Sequence, residues 1–90
     1  QALSGAGAVD VVSAITEVVT TGANALTIGA GVEGQIKFIV MKTDGGDGTL
    51  TPASFTGGTT ITFNDVGDSV LLLFTNSSWF LIANNGCTVA

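Results

Sequence analysis

Two segments of this sequence alternate like β-strands, yet they carry apolar residues on both faces. The segments are residues 35–42 and 69–83; in the first, Ile36, Phe38 and Val40 occupy one face, and the opposite face is also mainly apolar. Successive side chains of a strand point to opposite sides of its sheet, so such a strand must be covered from above and from below. A small chain can supply both layers for few of its strands. We therefore expect neighbouring copies of the chain to complete the core.

The balance of charged and apolar residues leads to the same expectation. Of the 90 residues, 46% are hydrophobic and 10% are charged, whereas about 25% are charged in an average soluble domain. This composition excludes a disordered chain, which needs low hydrophobicity and high net charge. Seven acidic residues against two lysines give a net charge of −5, which disfavours binding to nucleic acids and to anionic membranes. No apolar run is long enough to span a bilayer.

The residue types that are missing restrict the possible chemistry. The chain has no His and no Tyr, and its one cysteine is Cys87. A catalytic triad or a zinc site would need His or several Cys, so we predict a protein that is not an enzyme and has no cofactor. A single Cys cannot form a disulfide within the chain, which fits folding in a reducing cytoplasm. We expect Cys87 to be buried and unreactive, since no base or positive neighbour activates it.

The fold class follows from frequent Gly together with the β-branched residues Thr, Val and Ile. These residues favour short strands joined by tight turns. We predict strands near residues 8–13, 15–21, 25–28, 35–42, 48–51, 59–64, 69–74, 79–83 and 87–90. The spacing of about ten residues is typical of a small antiparallel β-sandwich or barrel of eight or nine strands. Residues 8–90 would form one β domain, and residues 1–7 a flexible N-terminal arm.

Two features could form binding sites, and each has a simpler explanation. Four carboxylates lie in two turns that flank strands expected to pair, and they could hold a hard cation such as Ca²⁺. These are Asp44, Asp47, Asp65 and Asp68. The simpler explanation, which we favour, is that Asp and Gly are ordinary turn residues. Trp79 could be a sugar-stacking platform, but within an apolar hairpin we expect it in the core or at an interface.

Several segments together resemble a known kind of domain. They are residues 34–37, 44–46, 50–52, 58–70, Trp79 and 85–86, which read GQIK, DGG, LTP, GTTITFNDVGDSV, W and NG. The chain is similar, over about residues 25–90, to a small Gly/Thr-rich β domain of virion structural proteins of tailed bacteriophages, particularly marine ones. The resemblance implies a part of the virion, either a head decoration (cement) protein or a piece of a tail fibre, and commonly a trimer. The matching motifs are turns and strands, so no catalytic site is implied.

Within that resemblance we expect a trimeric capsid decoration protein that bridges neighbouring units of the major capsid protein lattice. The alternative is a tail-fibre or receptor-binding module that recognises host surface glycans. For the core and the interface we predict Ile36, Phe38, Val40, Leu71, Leu72, Leu73, Phe74, Trp79, Phe80 and Ile82. For an arm that contacts the capsid we predict Gln1, Ala2, Leu3 and Ser4. The protein would be made in the host cytoplasm and would reside on the capsid surface.

Overall fold

The protein consists of short strands and the loops between them. The computed structural model describes residues 1–90 and contains eleven strands. In chain order they are β1 (Ala2–Ser4), β2 (Gly7–Val9), β3 (Ile15–Val19), β4 (Asn24–Ile28), β5 (Gln35–Thr43), β6 (Gly48–Pro52), β7 (Phe55–Thr56), β8 (Ile61–Phe63), β9 (Ser69–Thr75), β10 (Ser78–Asn85) and β11 (Thr88–Val89). The expectation of an all-β chain is confirmed. The structure contains no helix that is long and apolar enough to cross a membrane.

The strands form two sheets. Sheet A has six strands in the order β1-β3-β5-β9-β10-β7, and sheet B has five in the order β11-β8-β6-β4-β2. From β1 to β6 the chain alternates between the sheets at every strand, so that each pair of strands makes one turn of a solenoid-like stack. The later strands extend both sheets, and β9 and β10 form a hairpin within sheet A.

The prediction that the strands would be antiparallel is wrong for more than half of the pairings. Five pairs are parallel and four are antiparallel. The acidic turn at residues 44–47 does not pair the strands that flank it; it carries the chain from β5 in sheet A to β6 in sheet B. A chain that crosses to the facing sheet and then returns runs in its original direction, which makes neighbouring strands parallel.

The inner faces of the two sheets pack against each other and form the core. Its fourteen buried apolar residues are Val9, Val18, Leu26, Ile28, Ile39, Met41, Leu50, Ile61, Phe63, Val70, Leu72, Phe74, Trp79 and Cys87. They come from both sheets in the alternating pattern of strands with one inward face. A two-layer β-sandwich is therefore consistent with the structure, and its core belongs to a single copy of the chain.

The N-terminal segment differs from its prediction. Ala2–Ser4 forms strand β1, which pairs in parallel with β3 at the edge of sheet A. The side chain of Gln1 is also engaged, because its Oε1 accepts hydrogen bonds from Asp10 N at 2.8 Å and Thr16 Oγ1 at 2.9 Å. Residues 1–4 thus belong to the β domain rather than to an arm. The strand expected at 8–13 ends at Val9, and a loop follows it.

Stacking of the solenoid turns brings the loops at one end of the sandwich into close contact. Gly45 and Gly46 lie against the loop at residues 20–23, and a Cβ on Gly46 would stand 2.5 Å from the backbone carbon of Gly22. Thr20 Oγ1 accepts a hydrogen bond from Gly45 N at 2.8 Å and donates one to Gly46 O at 2.7 Å. Only a residue without a side chain fits this approach of two backbones.

Candidate interaction surface

Sheet A presents an apolar face to solvent. We call it the outer apolar face, and it comprises Ile15, Ile36, Phe38, Val40, Leu71, Leu73, Phe80 and Ile82. It arises because most residues of β5 and β9 are apolar. Every second residue of these strands is buried against sheet B, and the residues between them face solvent. Ile36 is 55% exposed and Phe38 is 48% exposed. In a single copy of the protein, about half of each side chain is therefore in contact with solvent.

The strand register aligns these side chains in two neighbouring rows across the sheet. One row contains Ile36, Leu73 and Phe80, and the other contains Ile15, Phe38, Leu71 and Ala83. Side chains that are directly opposite on adjacent strands lie about 5 Å apart, so each row is continuous. The apolar residues therefore form one patch.

A β-bulge in β10 extends the patch. The pairing with β9 shifts between Leu81 and Ala83, so Ala83 pairs with Leu71 and joins the outer face. Ile82 lies in the bulge and is exposed. Strict alternation along the sequence would have placed Ala83 on the same side as Trp79. The bulge is what changes its side, because one extra residue reverses the alternation.

Polar residues and a depression border the patch. Glu17 and Lys42 form an exposed ion pair, with 3.9 Å between Glu17 Oε2 and Lys42 Nζ. A shallow depression of about 170 Å³ lies beside Phe38 and Leu71. Its lining is completed by Ser69, Val70, Ala83, Asn84 and Asn85. An apolar centre with a polar rim is the general anatomy of a protein–protein interface.

The structure divides the ten predicted core and interface residues into two sets. Leu72, Phe74 and Trp79 are buried between the sheets. Trp79 contacts Phe74 edge to face, with ring centroids 5.1 Å apart, and its Nε1 donates a hydrogen bond to Gly29 O at 2.8 Å. The other seven all lie on the outer apolar face. The inference that both faces of these strands are apolar is confirmed, and only one of the two is covered within the chain.

The outer face of sheet B has a different chemistry. It carries five threonines, at positions 27, 49, 51, 62 and 88. Three of them form a row across the sheet, because Thr49 pairs with Thr62 and Thr62 pairs with Thr88. Threonine has a high β-propensity and its hydroxyl can face water. Sheet B therefore has a polar outer surface, and the apolar excess of the sequence is confined to sheet A.

The structure does not assemble the four acidic turn residues into a metal site. No three carboxylate, thiol or imidazole groups lie together where they could share an ion. Asp44 accepts a hydrogen bond from Gly46 N at 3.1 Å, and Asp68 Oδ2 accepts from the backbone nitrogens of Asn64 and Asp65 at 3.0 Å each. The structure thus does not bring the four calcium candidates together, and the carboxylates of Asp44 and Asp68 bind their own turns, as is usual for Asp in turns.

Cys87 lies in the core beside Asp68. Burial, with a further contribution from the negative charge of Asp68, raises the pKa of the Cys87 thiol to about 12. The thiolate is the reactive form of cysteine, and a pKa this high suppresses it at neutral pH. The structure therefore agrees with a structural role for this residue.

The fold contains a buried charge that the sequence pattern did not predict. Lys37 is fully buried, and its Nζ donates to Asp10 Oδ1 at 3.2 Å, to Ser13 O at 2.8 Å and to Ser13 Oγ at 3.0 Å. All three donors of the ammonium group are thereby used, as burial of a charge requires. The signal was present in the alternation, because Lys37 shares its face with Ile39 and Met41. The position of its partners, in the loop after β2, depends on the tertiary fold.

Asp10 is the centre of this arrangement. Its Oδ1 accepts from Ser13 Oγ at 2.6 Å and from Ser13 N at 3.0 Å, in addition to Lys37. The hydrogen bonds from Ser13 and then the contact with Lys37 hold the pKa of Asp10 well below its ordinary value. The network connects the loop at residues 10–14 to the interior of sheet A.

Comparisons with protein-family models, with curated proteins and with solved structures find no match for this chain.

Proposed function

We propose that this protein is a non-enzymatic structural component of a bacteriophage virion, a homotrimeric decoration protein on the outside of the capsid. The observation that carries the proposal is the outer apolar face of sheet A. Four of its large side chains are about half exposed and four others less so. A contiguous exposed apolar patch bordered by polar residues marks an interaction site on a soluble protein.

The position of this surface within the sheet favours self-association around an axis. Strands β5 and β9 occupy the centre of sheet A, and Phe38 and Leu71 face each other there. Three copies with these strands turned towards a common axis would bury the apolar centre, while Glu17 and Lys42 would stay at the wet margin. The low content of charged residues, 10%, fits a chain that hides part of its surface in an assembly.

The resemblance of residues 25–90 to virion β domains of tailed bacteriophages supports the location. A decoration protein binds only the assembled lattice, so it stabilises the shell by mass action without any catalytic step. The side chains of Lys37, Asp44 and Asp68 all form hydrogen bonds within the fold. Their role in this proposal is to make a small domain rigid enough to bridge neighbouring capsid subunits.

The first experiment measures the mass of the purified protein in solution by light scattering coupled to size exclusion. We expect a species of about three times 8.9 kDa at micromolar concentration. A stable monomer at that concentration would contradict the proposal, because the outer apolar face would then remain exposed to solvent instead of forming an interface.

The second experiment measures binding to capsids. Labelled protein is added to intact capsids of the parent virus that lack it, and the bound amount per capsid is counted. We expect saturation at a fixed stoichiometry set by the lattice. Binding to host cells and not to capsids would instead support the glycan-binding alternative. The complete burial of Trp79 favours the capsid, because a buried indole ring cannot stack on a sugar.

A further inference from the structure

The end of β10 and the turn after it contain the sequence Asn85-Gly86, the one place in the chain where asparagine precedes glycine. An asparagine loses its side-chain amide spontaneously when the backbone nitrogen of the next residue attacks its side-chain carbonyl carbon. A glycine in the second position favours this attack, because it has no side chain to obstruct the approach. In a folded protein the reaction also needs exposure, a side chain that can turn, and an attacking nitrogen without a hydrogen-bond acceptor.

The side chain of Asn85 is exposed and weakly held. Asn85 is the last residue of β10, and both it and Gly86 are exposed to solvent. The side chain makes a single hydrogen bond, from Nδ2 to Gly67 O at 3.2 Å, which is at the long end of the ordinary range. Water competes for an exposed bond of this kind. The side chain of Asn85 can therefore turn towards Gly86.

The attacking nitrogen is free as well. Gly86 N donates no hydrogen bond to any backbone or side-chain acceptor of the chain. It therefore has no intramolecular hydrogen bond to break before it reacts. Because Gly86 is exposed, solvent hydroxide can reach the proton on this nitrogen.

Two other asparagines differ in the nitrogen that follows them. The nitrogen after Asn64 donates a hydrogen bond to Asp68 Oδ2 at 3.0 Å. The nitrogen after Asn76 donates one to Glu33 Oε1 at 3.1 Å. Each of these nitrogens is held by a carboxylate, and neither belongs to glycine. We therefore expect both asparagines to be protected in the fold.

The remaining two asparagines are held by their own side chains. Asn84 Nδ2 donates to Cys87 O at 2.9 Å, and Asn84 Oδ1 accepts from Cys87 N at 3.0 Å, so both ends of its amide are engaged. Asn24 Oδ1 accepts a hydrogen bond from Thr21 N at 2.9 Å, and the residue after Asn24 continues strand β4. Asn85 is thus the one asparagine that combines a free neighbouring nitrogen with a following glycine.

The fold requires glycine at position 86. Gly86 has a φ of 83°, and a Cβ at this position would overlap Asp68 Oδ1. A positive φ and this close approach both disfavour any residue that has a side chain. The pairing of Asn85 with a glycine is therefore tied to the way this turn packs against the turn at residues 64–68.

We propose that Asn85 is a site of spontaneous deamidation. After loss of its proton, Gly86 N forms a bond to Asn85 Cγ, the bond from Cγ to Nδ2 breaks, and ammonia leaves with a proton from solvent. The product is a cyclic imide that joins the two residues. Water then opens the imide at either carbonyl, which gives aspartate or isoaspartate. Water is the co-reactant, and nothing is oxidised or reduced.

Either product changes the border of the outer apolar face. Asn85 lines the depression beside Phe38 and Leu71, so a carboxylate replaces a neutral amide there. The amide donor to Gly67 O is lost, and the net charge becomes one unit more negative than −5. Isoaspartate also lengthens the backbone where β10 pairs with Ser69. The reaction takes place within one copy of the protein, so it does not depend on the proposed assembly.

The test incubates the purified protein in mildly alkaline buffer and follows every asparagine by peptide mapping with mass spectrometry. A second sample is incubated unfolded in guanidinium chloride. Enzymatic methylation of isoaspartate reports the cyclic imide route. The other four asparagines are internal controls, and Asn85→Gln is the control variant, because its longer side chain closes the corresponding ring slowly. Isoelectric focusing follows the appearance of acidic species in both proteins.

In the native protein we expect Asn85 to convert at least about tenfold faster than any other asparagine, with isoaspartate among the products. Its native rate should stay within about tenfold of its rate in guanidinium chloride, because the fold leaves the site open. The Asn85→Gln variant should lack the acidic species.

Three results would overturn the inference. The first is a native rate at Asn85 no faster than at Asn64 or Asn76, or more than about tenfold below its rate in the unfolded chain. The second is formation of aspartate without isoaspartate, which would exclude the cyclic imide. The third is persistence of the acidic species in Asn85→Gln, which would place the reaction at another residue.

Discussion

Truncation of Phe38 on the outer apolar face tests self-association directly. Phe38 lies on the central strand β5 of sheet A, in one row with Ile15 and Leu71. It makes no part of the core, so Phe38→Ser should leave the fold of a single copy intact. In the proposed trimer the same residue lies near the axis, and its loss should weaken association strongly.

The size of the effect follows from the exposed area. A phenylalanine side chain buries roughly 200 Å² when it is fully covered, and Phe38 is 48% exposed in one copy. Association would therefore cover about 100 Å² of it, which is worth about 2.5 kcal/mol per copy at about 25 cal/mol per Å². Over three copies the loss is about 7 kcal/mol, or about five powers of ten in the dissociation constant. The dissociation constant of a trimer has the dimension of a concentration squared, so the concentration at half dissociation varies with the square root of this constant. That midpoint concentration should therefore rise roughly 300-fold.

Sedimentation velocity over a dilution series measures this midpoint, and denaturation in urea measures the stability of the single copy. The control is Val66→Ser, which removes a similarly exposed side chain outside the outer apolar face. We expect its midpoint to be that of the unaltered protein. An unchanged midpoint for Phe38→Ser, with the fold preserved, would refute the assignment of this face as the trimer interface.

Three further predictions concern the single copy. Gly46→Ala should lower the free energy of unfolding by about 1–3 kcal/mol, as measured by urea denaturation, because its Cβ would meet the backbone of Gly22. Stability should fall as the pH drops below the ordinary pKa values of Asp10 and Glu33, 3.8 and 4.5: both pKa values are lowered in the fold, so the unfolded chain binds protons first. Cys87 should react very slowly with a thiol reagent in the native protein, since a pKa of about 12 instead of 9.0 leaves about a thousandfold less thiolate.

Each of these predictions has its own control. For Gly46 it is Gly29→Ala, whose Cβ would meet nothing within 4 Å, and an equal loss in both variants would contradict the steric argument. For the pH dependence, the double variant Asp10→Asn, Glu33→Gln should show a flatter fall in stability with acid, and an unchanged slope would count against these two carboxylates. For Cys87, rapid labelling without denaturant would show that the thiol is not buried.

Much of the strand layout could be predicted from local pattern. The strands at residues 35–42, 48–51 and 69–74 lie within or nearly within β5, β6 and β9, because alternation and Gly-rich turns act over a few residues. The strand expected at 8–13 was predicted too long, since Val11 and Val12 are β-branched but belong to a loop. That loop is held by Lys37, which is 24 or more positions away from the residues it binds. No local pattern contains such a contact.

The sequence by itself determined that the chain is all-β, that its central strands are apolar on both faces, and that it has no residues for a triad or a zinc site. The tertiary structure decided which of the two apolar faces is buried and that five of the nine strand pairs are parallel. It also decided that the exposed Val12 and Val32 lie at the end of the sandwich opposite to the turns at residues 44–47 and 64–68. The physical reason is the distance along the chain over which each feature is set. Side-chain alternation depends on neighbouring residues only. A turn such as 44–47, by contrast, can lead the chain back into the same sheet or across to the facing sheet. Packing of the whole core selects between these paths.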